Sequence, residues 1–154
     1  MGERMTNAHL RLLAQDVRAF LEPQWRMWHL HAGQPELVTE SQGTCGRSSL
    51  FLRDVLRNEG YAAEFAAVCP TEGNKGFRSP WGWKGHAWVE SCGLILDVTA
   101  DQFGARPVLV TGQDDPRYGR GRDTAAPQFI AVRQAAVKEL MSLWATRNQI
   151  GRTG

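Results

Sequence analysis

The strongest fold signal is the stretch GHAWVESCGLILDVT at residues 85–99. Two apolar runs flank Ser91-Cys92-Gly93, and this pattern is typical of a β-hairpin. Residues that lie opposite each other on antiparallel strands share a face, so the spacing predicts that His86 and Asp97 are neighbours, with Trp88 on the same face. A carboxylate inside a hydrophobic strand needs a partner, and an imidazole is a suitable one. The hairpin therefore predicts a His86–Asp97 pair.

Sequence patterns outside the hairpin predict two further strands and two loops. Residues 61–69 are predicted to form a strand, and residues 107–111 a third short strand beside the hairpin. Residues 70–83 are rich in Gly, Ser and Pro and are interpreted as a loop whose aromatic side chains line a substrate wall or pack on one another. Residues 112–127 are predicted to be a mobile surface loop.

Helices are predicted at both ends of the chain. Apolar residues at steps of three and four predict a helix over residues 7–21, with Arg18 on its exposed side and Pro23 ending it. A last helix is predicted over residues 128–147. Its apolar stripe is formed by Phe129, Val132, Val137, Leu140, Met141 and Trp144.

The order of these elements predicts the fold class. N-terminal helices, a hairpin-built antiparallel sheet and a C-terminal helix indicate an α+β protein in which the helices pack on a small sheet. The length of 154 residues is that of one domain, here residues 1–154 with a core at about residues 41–111.

Composition excludes several classes of function. The net charge is only +2 and the basic residues are dispersed, so we expect no nucleic-acid partner. The run RYGRGR at residues 117–122 is interspersed with aspartates and is interpreted as a solvated loop rather than a phosphate site. We expect no signal peptide and no membrane span, since no apolar run approaches about 18 residues. Three cysteines without paired spacing favour reduced thiols and a cytoplasmic protein.

Cys45 is the predicted reactive residue. It lies where a turn-forming run gives way to a helix that is predicted to begin near residue 47 and to end before Gly60. A thiol at a helix N-terminus lies near free backbone N–H groups, which favour the thiolate. Gly43 and Gly46 allow close approach of a substrate backbone. The alternative is that Cys45 is a small buried hydrophobe, the role expected when a cysteine lacks a chemical partner.

Metal binding is a weaker hypothesis for this chain. His29 and His31 have the spacing of two ligands on one strand, but no third ligand supports them, so surface or partly buried imidazoles are preferred. A metal centre formed by Cys45, His86 and Asp97 is a further alternative. We predict neither a metal nor a cofactor.

Three segments together resemble the transglutaminase-like branch of the papain-like cysteine enzymes. They are TCGRSSL at residues 44–50, GHAWVE at 85–90 and ILDVT at 95–99, in the family's order of Cys at a helix N-terminus followed by His and Asp on neighbouring strands. DVTADQF at residues 97–103 resembles the ending found in small bacterial members, and residues 45–90 also resemble the leader peptidases of lasso-peptide pathways. The resemblance covers residues 45 to about 103.

The resemblance implies Cys45 as the nucleophile, His86 as base and then acid, and Asp97 as the group that orients His86. The implied reaction is acyl transfer from a peptide or protein amide through a thioester. The superfamily includes proteases, deamidases, transglutaminases and inactive members, so hydrolysis and transfer both stay open, as does a silent binding module on the same fold.

Further residues are candidates for substrate binding. The oxyanion would be held by the Cys45 backbone N–H and by a side-chain donor, with Gln42 as first candidate and Gln102 as second. Either glutamine is equally well explained as loop surface. An apolar substrate groove would be lined by Trp81, Trp83 and Trp88.

Overall fold

The computed structural model describes residues 2–34, 37–69 and 73–153, which form an α+β fold. The three helices are α1 (Gly2–His31), α2 (Cys45–Asn58) and α3 (Pro127–Thr153). A single turn of 3₁₀-helix spans Ala100–Phe103. The seven strands are β1 (Ala63–Val68), β2 (Gly76–Ser79), β3 (Gly82–Lys84), β4 (His86–Ser91), β5 (Leu94–Asp97), β6 (Leu109–Gly112) and β7 (Tyr118–Gly119).

The strands form two antiparallel sheets. The larger sheet has the order β1-β4-β5-β6 and the smaller has the order β3-β2-β7. The predicted hairpin is confirmed as β4 and β5, with Ser91 paired to Leu94 and a two-residue turn at Cys92 and Gly93. Both turn residues have positive φ, as a type I′ turn requires. The third strand predicted over residues 107–111 is confirmed as β6.

The two faces of the larger sheet pack against different layers. Val89 and Leu96 belong to the main core with apolar residues of all three helices, including Leu52 of α2. Trp88 and Ile95 point to the other face. Helix α2 covers the face opposite to the one that carries His86, and it reaches the site only with its first residues.

Helix α1 continues beyond Pro23, so the predicted end of that helix is wrong. Pro23 lies on the exposed side of the helix, so its ring faces solvent and water can bind the carbonyl oxygen that lacks a helical donor. Two residues later, Trp25 is fully buried and its indole Nε1 donates to Ser48 Oγ of α2 at 2.9 Å. Burial of this indole offsets the local cost of the proline, which is about 3 kcal/mol, because a fully buried large aromatic contributes a stabilisation of similar size.

The predicted loop over residues 70–83 is wrong for its second part, where β2 and β3 form a hairpin; residues 70–72 lie outside the described residues. Gly76 in β2 has a φ of +94°, and a Cβ built there would lie 2.1 Å from the Lys84 carbonyl oxygen. Only glycine allows these two backbones to approach so closely. The hairpin places Phe77 against His86 of the larger sheet, where its side chain is only 2% exposed.

Helix α3 agrees with its prediction only in part. Val137, Leu140 and Trp144 are buried, whereas Phe129 and Val132 are 64% and 61% exposed, so the apolar stripe does not include its first turns. Gly60 follows Glu59, the C-cap residue of α2, and has a φ of +93°, as predicted. Within the described residues, no helix combines the length and apolar character that crossing a membrane requires.

Candidate active site

His86 and Asp97 form a buried pair, as the hairpin predicted. His86 Nε2 lies 2.6 Å from Asp97 Oδ2, and both side chains have no exposed surface. The ladder between β4 and β5 ends at Val89 and Leu96, and its register places Asp97 diagonally across from His86 rather than directly opposite. Diagonal neighbours on one face remain within reach of a ring as long as imidazole.

The Asp97 carboxylate accepts hydrogen bonds at both oxygens. Oδ2 accepts from His86 and from the Tyr118 hydroxyl at 2.7 Å, and Oδ1 accepts from the Thr99 backbone N–H at 3.0 Å. Burial opposes the charge of this carboxylate, but the imidazolium and these donors outweigh burial and lower the pKa of Asp97. Asp97 is therefore a stable anion at the base of the site.

His86 is held as an imidazolium. Burial works against its charge, but Asp97 and then Cys45 outweigh burial and raise the pKa of His86 to about 10. The ring lies among aromatics, edge-on to Phe77 and Phe103 and stacked on Trp88 at centroid distances of 5.7, 5.0 and 6.1 Å. These rings exclude water, so the charges of the pair act on each other with little screening.

The second nitrogen of His86 is directed to Cys45. Nδ1 is buried and has no nitrogen or oxygen partner among the described residues. Because Nε2 is taken by Asp97, Nδ1 is the nitrogen available to the Cys45 sulfur, whose interaction with His86 helps to set the pKa of both groups. A ring nitrogen whose one polar neighbour is a cysteine sulfur is the arrangement that proton transfer requires.

Cys45 is the first residue of α2 and is partly exposed. Burial of its sulfur raises the pKa, but the imidazolium and the Ala87 backbone N–H overcome this effect, so that the pKa of Cys45 is lowered. The helix N-terminus favours the same charge. The three groups thus form a thiolate–imidazolium–carboxylate chain.

Two buried networks fix the loop that carries Cys45. In the first, Arg18 of α1 makes a bidentate ion pair with Asp101 at 2.8 and 2.9 Å, and Asp101 accepts from Ser41 Oγ at 2.6 Å. Arg18 also donates to the carbonyl oxygen of Val98, next to Asp97, at 3.0 Å. The prediction that Arg18 is exposed is therefore wrong, because this arginine joins the nucleophile loop to the strand that ends in Asp97.

The second network joins the first turn of α2 to Trp25 and to the turn before Cys45. Trp25 donates to Ser48 Oγ, Ser48 Oγ donates to Thr44 Oγ1 at 3.1 Å, and Thr44 Oγ1 donates to the Ser41 carbonyl at 2.7 Å. All of these polar groups are buried and satisfied, which makes the turn before Cys45 rigid.

A cleft of about 410 Å³ is lined by Cys45 and His86, with Asp97 buried behind the imidazole ring. Its walls come from the nucleophile loop, from the edge strand β1 with Cys69 beyond it, from the start of β4, from the 3₁₀ turn and from Arg133 of α3. Small residues dominate these walls, including Gly46 and Ala67. A larger groove of about 560 Å³ lies between α2 and α3. None of Cys45, His86 and Asp97 lines this groove, so the smaller cleft is the candidate active site.

The predicted binding residues are distributed unevenly around the cleft. Gln102 lines it, with Nε2 donating to the Thr99 carbonyl at 3.0 Å and Oε1 accepting from the Gly43 backbone N–H at 3.4 Å. Gln42, the first candidate, is exposed and is not among the described lining residues. The structure thus favours the second candidate.

The tryptophan groove is not found among the described residues of the cleft. Trp81 is 74% exposed at the turn between β2 and β3, and Trp83 is half-buried on β3. Trp88 shares the face of His86, as predicted, but is fully buried behind the ring. The prediction that these three tryptophans line a substrate groove is therefore wrong. Two of them lie on the β2–β3 hairpin, and the third is packed behind the His86 ring.

The sequence analysis missed Tyr118, whose hydroxyl donates to Asp97 Oδ2. Tyr118 lies within the stretch 112–127 that was predicted to be mobile, yet it forms β7 and pairs with Phe77. The single aromatic residue among the glycines and arginines at 117–122 was the available signal, since an aromatic in a polar loop is often anchored.

His29 and His31 lie in the last turn of α1. His29 Nε2 lies 2.7 Å from the Glu40 carbonyl oxygen. Within residues 2–34, 37–69 and 73–153, no group of three or more His, Cys, Asp or Glu side chains is arranged to hold a metal ion. The described residues thus offer no further ligand to His29 and His31.

Comparisons with known proteins do not assign the chain to a family. It matches no protein-family model, no curated protein and no solved structure. The functional interpretation therefore depends on the geometry of Cys45, His86 and Asp97.

Proposed function

We propose that this protein is a cysteine acyl-transfer enzyme of the transglutaminase-like type that acts on a peptide or protein amide through a thioester. One observation carries the proposal: buried His86 binds a fully satisfied Asp97 through Nε2 and leaves Nδ1 to the partly exposed Cys45. A merely structural histidine would have both nitrogens satisfied, because an unpaired buried polar atom is costly.

Acylation follows from the charges of the resting pair. The Cys45 thiolate attacks the amide carbonyl, a carbon–sulfur bond forms and the carbonyl oxygen becomes negative. His86 then gives its Nδ1 proton to the leaving nitrogen as the carbon–nitrogen bond breaks, and the amine departs. Asp97 keeps its charge throughout and fixes the orientation of the ring through Nε2.

Deacylation reverses the proton transfer. Neutral His86 accepts a proton at Nδ1 from water or from an amine that attacks the thioester carbonyl. The carbon–sulfur bond breaks, the thiolate is regenerated beside the imidazolium, and an acid or a new amide is released. Hydrolysis and transfer thus use the same residues and differ only in the nucleophile.

The negative oxygen needs donors in the cleft. The Cys45 backbone N–H lies in the first turn of α2, where amides have no helical partner. Gln102 Nε2 donates one hydrogen to the Thr99 carbonyl, and its second hydrogen is available to bind the oxyanion. These two groups are the proposed oxyanion donors.

The cleft walls suit an extended peptide. Ala67, Gly85 and Ala87 contribute little bulk, so a backbone can lie close to the sulfur. Strand β1 is at the edge of the larger sheet and lines the same cleft, and it offers a surface for such a chain. No cofactor is needed for the chemistry proposed.

The test is capture of the thioester. The native protein is incubated with a panel of peptide amides and peptide thioesters, with and without a small primary amine, and adducts are located by intact mass and peptide mapping. We expect an acyl group on Cys45 that the amine removes, no adduct in Cys45→Ser, and normal acylation in Cys92→Ser, whose sulfur lies in the distant hairpin turn. Native protein that never acylates at Cys45 with any donor would favour a silent binding module instead.

A further inference from the structure

Tyr118 reaches the triad from the side opposite Cys45. It lies on β7, pairs with Phe77 of β2 and packs its ring edge-on against Phe77 and at a tilt against Trp88, at centroid distances of 5.2 and 5.1 Å. Its hydroxyl donates to Asp97 Oδ2 at 2.7 Å. The small sheet thus serves to bring one hydroxyl group to the catalytic carboxylate.

Asp97 Oδ2 is shared between two donors. The His86 Nε2–H and the Tyr118 hydroxyl approach the same oxygen at 2.6 and 2.7 Å, while Thr99 holds the other oxygen. A carboxylate oxygen that accepts two hydrogen bonds divides its charge between them, so each donor weakens the bond of the other. Tyr118 therefore competes with His86 for the charge of Asp97.

We propose that Tyr118 is a positioning residue that fixes Asp97 Oδ2 and limits how strongly this oxygen binds the imidazolium, so that His86 can release its Nδ1 proton to the leaving group. The inference depends on the proposed acyl-transfer function. It adds a fourth residue to the site and assigns a role to the 117–122 stretch, which the triad alone does not use.

The charge state of Tyr118 supports this role. Burial and then the negative Asp97 raise the pKa of the Tyr118 hydroxyl far above its usual value, so it stays protonated and remains a donor. The same donation is among the effects that lower the pKa of Asp97. Without it, Asp97 becomes more basic and raises the pKa of His86 beyond about 10, which makes His86 a poorer acid.

The test compares two single-atom deletions. Tyr118→Phe keeps the ring that packs on Phe77 and removes the hydroxyl. Tyr61→Phe is the matched control, because Tyr61 is the other of the chain's two tyrosines and its hydroxyl binds the exposed side of His9, away from the triad. Both variants are compared with the native protein by the titration of His86, followed by NMR in protein with ¹³C-labelled histidine.

A second readout separates proton donation from packing. Acylation of Cys45 is timed with a peptide amide, whose amine must be protonated as it leaves, and with a peptide thioester, whose thiolate leaves without a proton. In Tyr118→Phe we expect the His86 midpoint to rise by about half a unit to one unit. The amide rate should fall by a similar factor, roughly threefold to tenfold, while the thioester rate is retained.

The outcomes distinguish this inference from the proposed function. If Tyr118→Phe behaves as Tyr61→Phe does, or if it lowers the His86 midpoint and slows amide and thioester equally, the hydroxyl is only structural and the inference is overturned. If native His86 titrates near 6.5 and Cys45 is not acylated, the proposed function itself fails.

Discussion

Replacing Cys45 with serine should change how the stability of the protein depends on pH. In the native fold, above the lowered pKa of Cys45, the pair carries one proton, on His86, because the pKa of His86 is raised and that of Cys45 is lowered. In the unfolded chain between about pH 6.5 and pH 8.5 the pair also carries one proton, on the thiol. Folding therefore takes up no proton at this pair, which contributes no pH dependence in that window.

The two groups act with opposite signs. A raised histidine pKa contributes stability that is complete below about pH 6.5 and is lost as the pH rises towards about 10. A lowered thiol pKa contributes stability that is complete above about pH 8.5 and is lost as the pH falls through the folded value. In Cys45→Ser only the first contribution remains. Asp97 precedes Cys45 among the groups that raise the pKa of His86, so the imidazolium persists without the sulfur.

The expected magnitude follows from proton counting. With one proton more in the folded state than in the unfolded state, the free energy of unfolding of Cys45→Ser should fall by about 1.4 kcal/mol per pH unit relative to the native protein. Between about pH 7 and pH 8 this difference is measurable by urea unfolding, since all other ionisable groups are common to both proteins.

The assay needs one control and has one refuting result. Cys92→Ser, in the hairpin turn, should give a pH dependence parallel to that of the native protein. Parallel curves for Cys45→Ser and the native protein would mean that Cys45 keeps its proton in the fold, and the argument for a thiolate–imidazolium pair would be refuted.

Two further predictions concern the frame of the site. Arg18→Leu should lower the free energy of unfolding by about 3–5 kcal/mol, because it leaves the Asp101 carboxylate, whose side chain is only 14% exposed, without its cation. In urea unfolding, the exposed Arg11→Leu should change this free energy by less than about 0.5 kcal/mol. Gly76→Ala should misplace the small sheet, since its Cβ would meet the Lys84 carbonyl at 2.1 Å; a native-like near-ultraviolet circular dichroism spectrum and melting temperature would contradict this prediction.

The parts of the fold that follow from local sequence were predicted well. The β4–β5 hairpin, the helix α2, which begins at Cys45 rather than near residue 47, and the glycine after its end depend on patterns within a few residues. The buried Asp97 could be paired with His86 for the same reason: hairpin register fixes which side chains share a face.

The parts that depend on distant contacts were not predictable. Nothing near Pro23 indicates that α1 continues, because the energy that holds it comes from Trp25 packing against α2. Arg18 has the spacing of an exposed helical residue, and only the position of Asp101, 83 residues later, explains its burial. The face of the sheet that α2 covers was likewise set by tertiary packing rather than by alternation along β4.

The site shows the same division. Tyr118 belongs to a glycine- and arginine-rich stretch whose composition indicates a loop, and its role depends on pairing with β2 across a long separation. The tryptophans were assigned to a groove by their type alone. Their positions depend on the second sheet, which local patterns did not reveal.

The most direct test of the central claim is the rate of Cys45 alkylation as a function of pH, followed by peptide mapping in the native protein and in His86→Ala. The account predicts a native inflection well below the value of about 8.5 for a free thiol, and its loss in the variant. A native profile that rises only near about pH 8.5 and is unchanged in His86→Ala would contradict the thiolate–imidazolium pair and the enzyme function proposed from it.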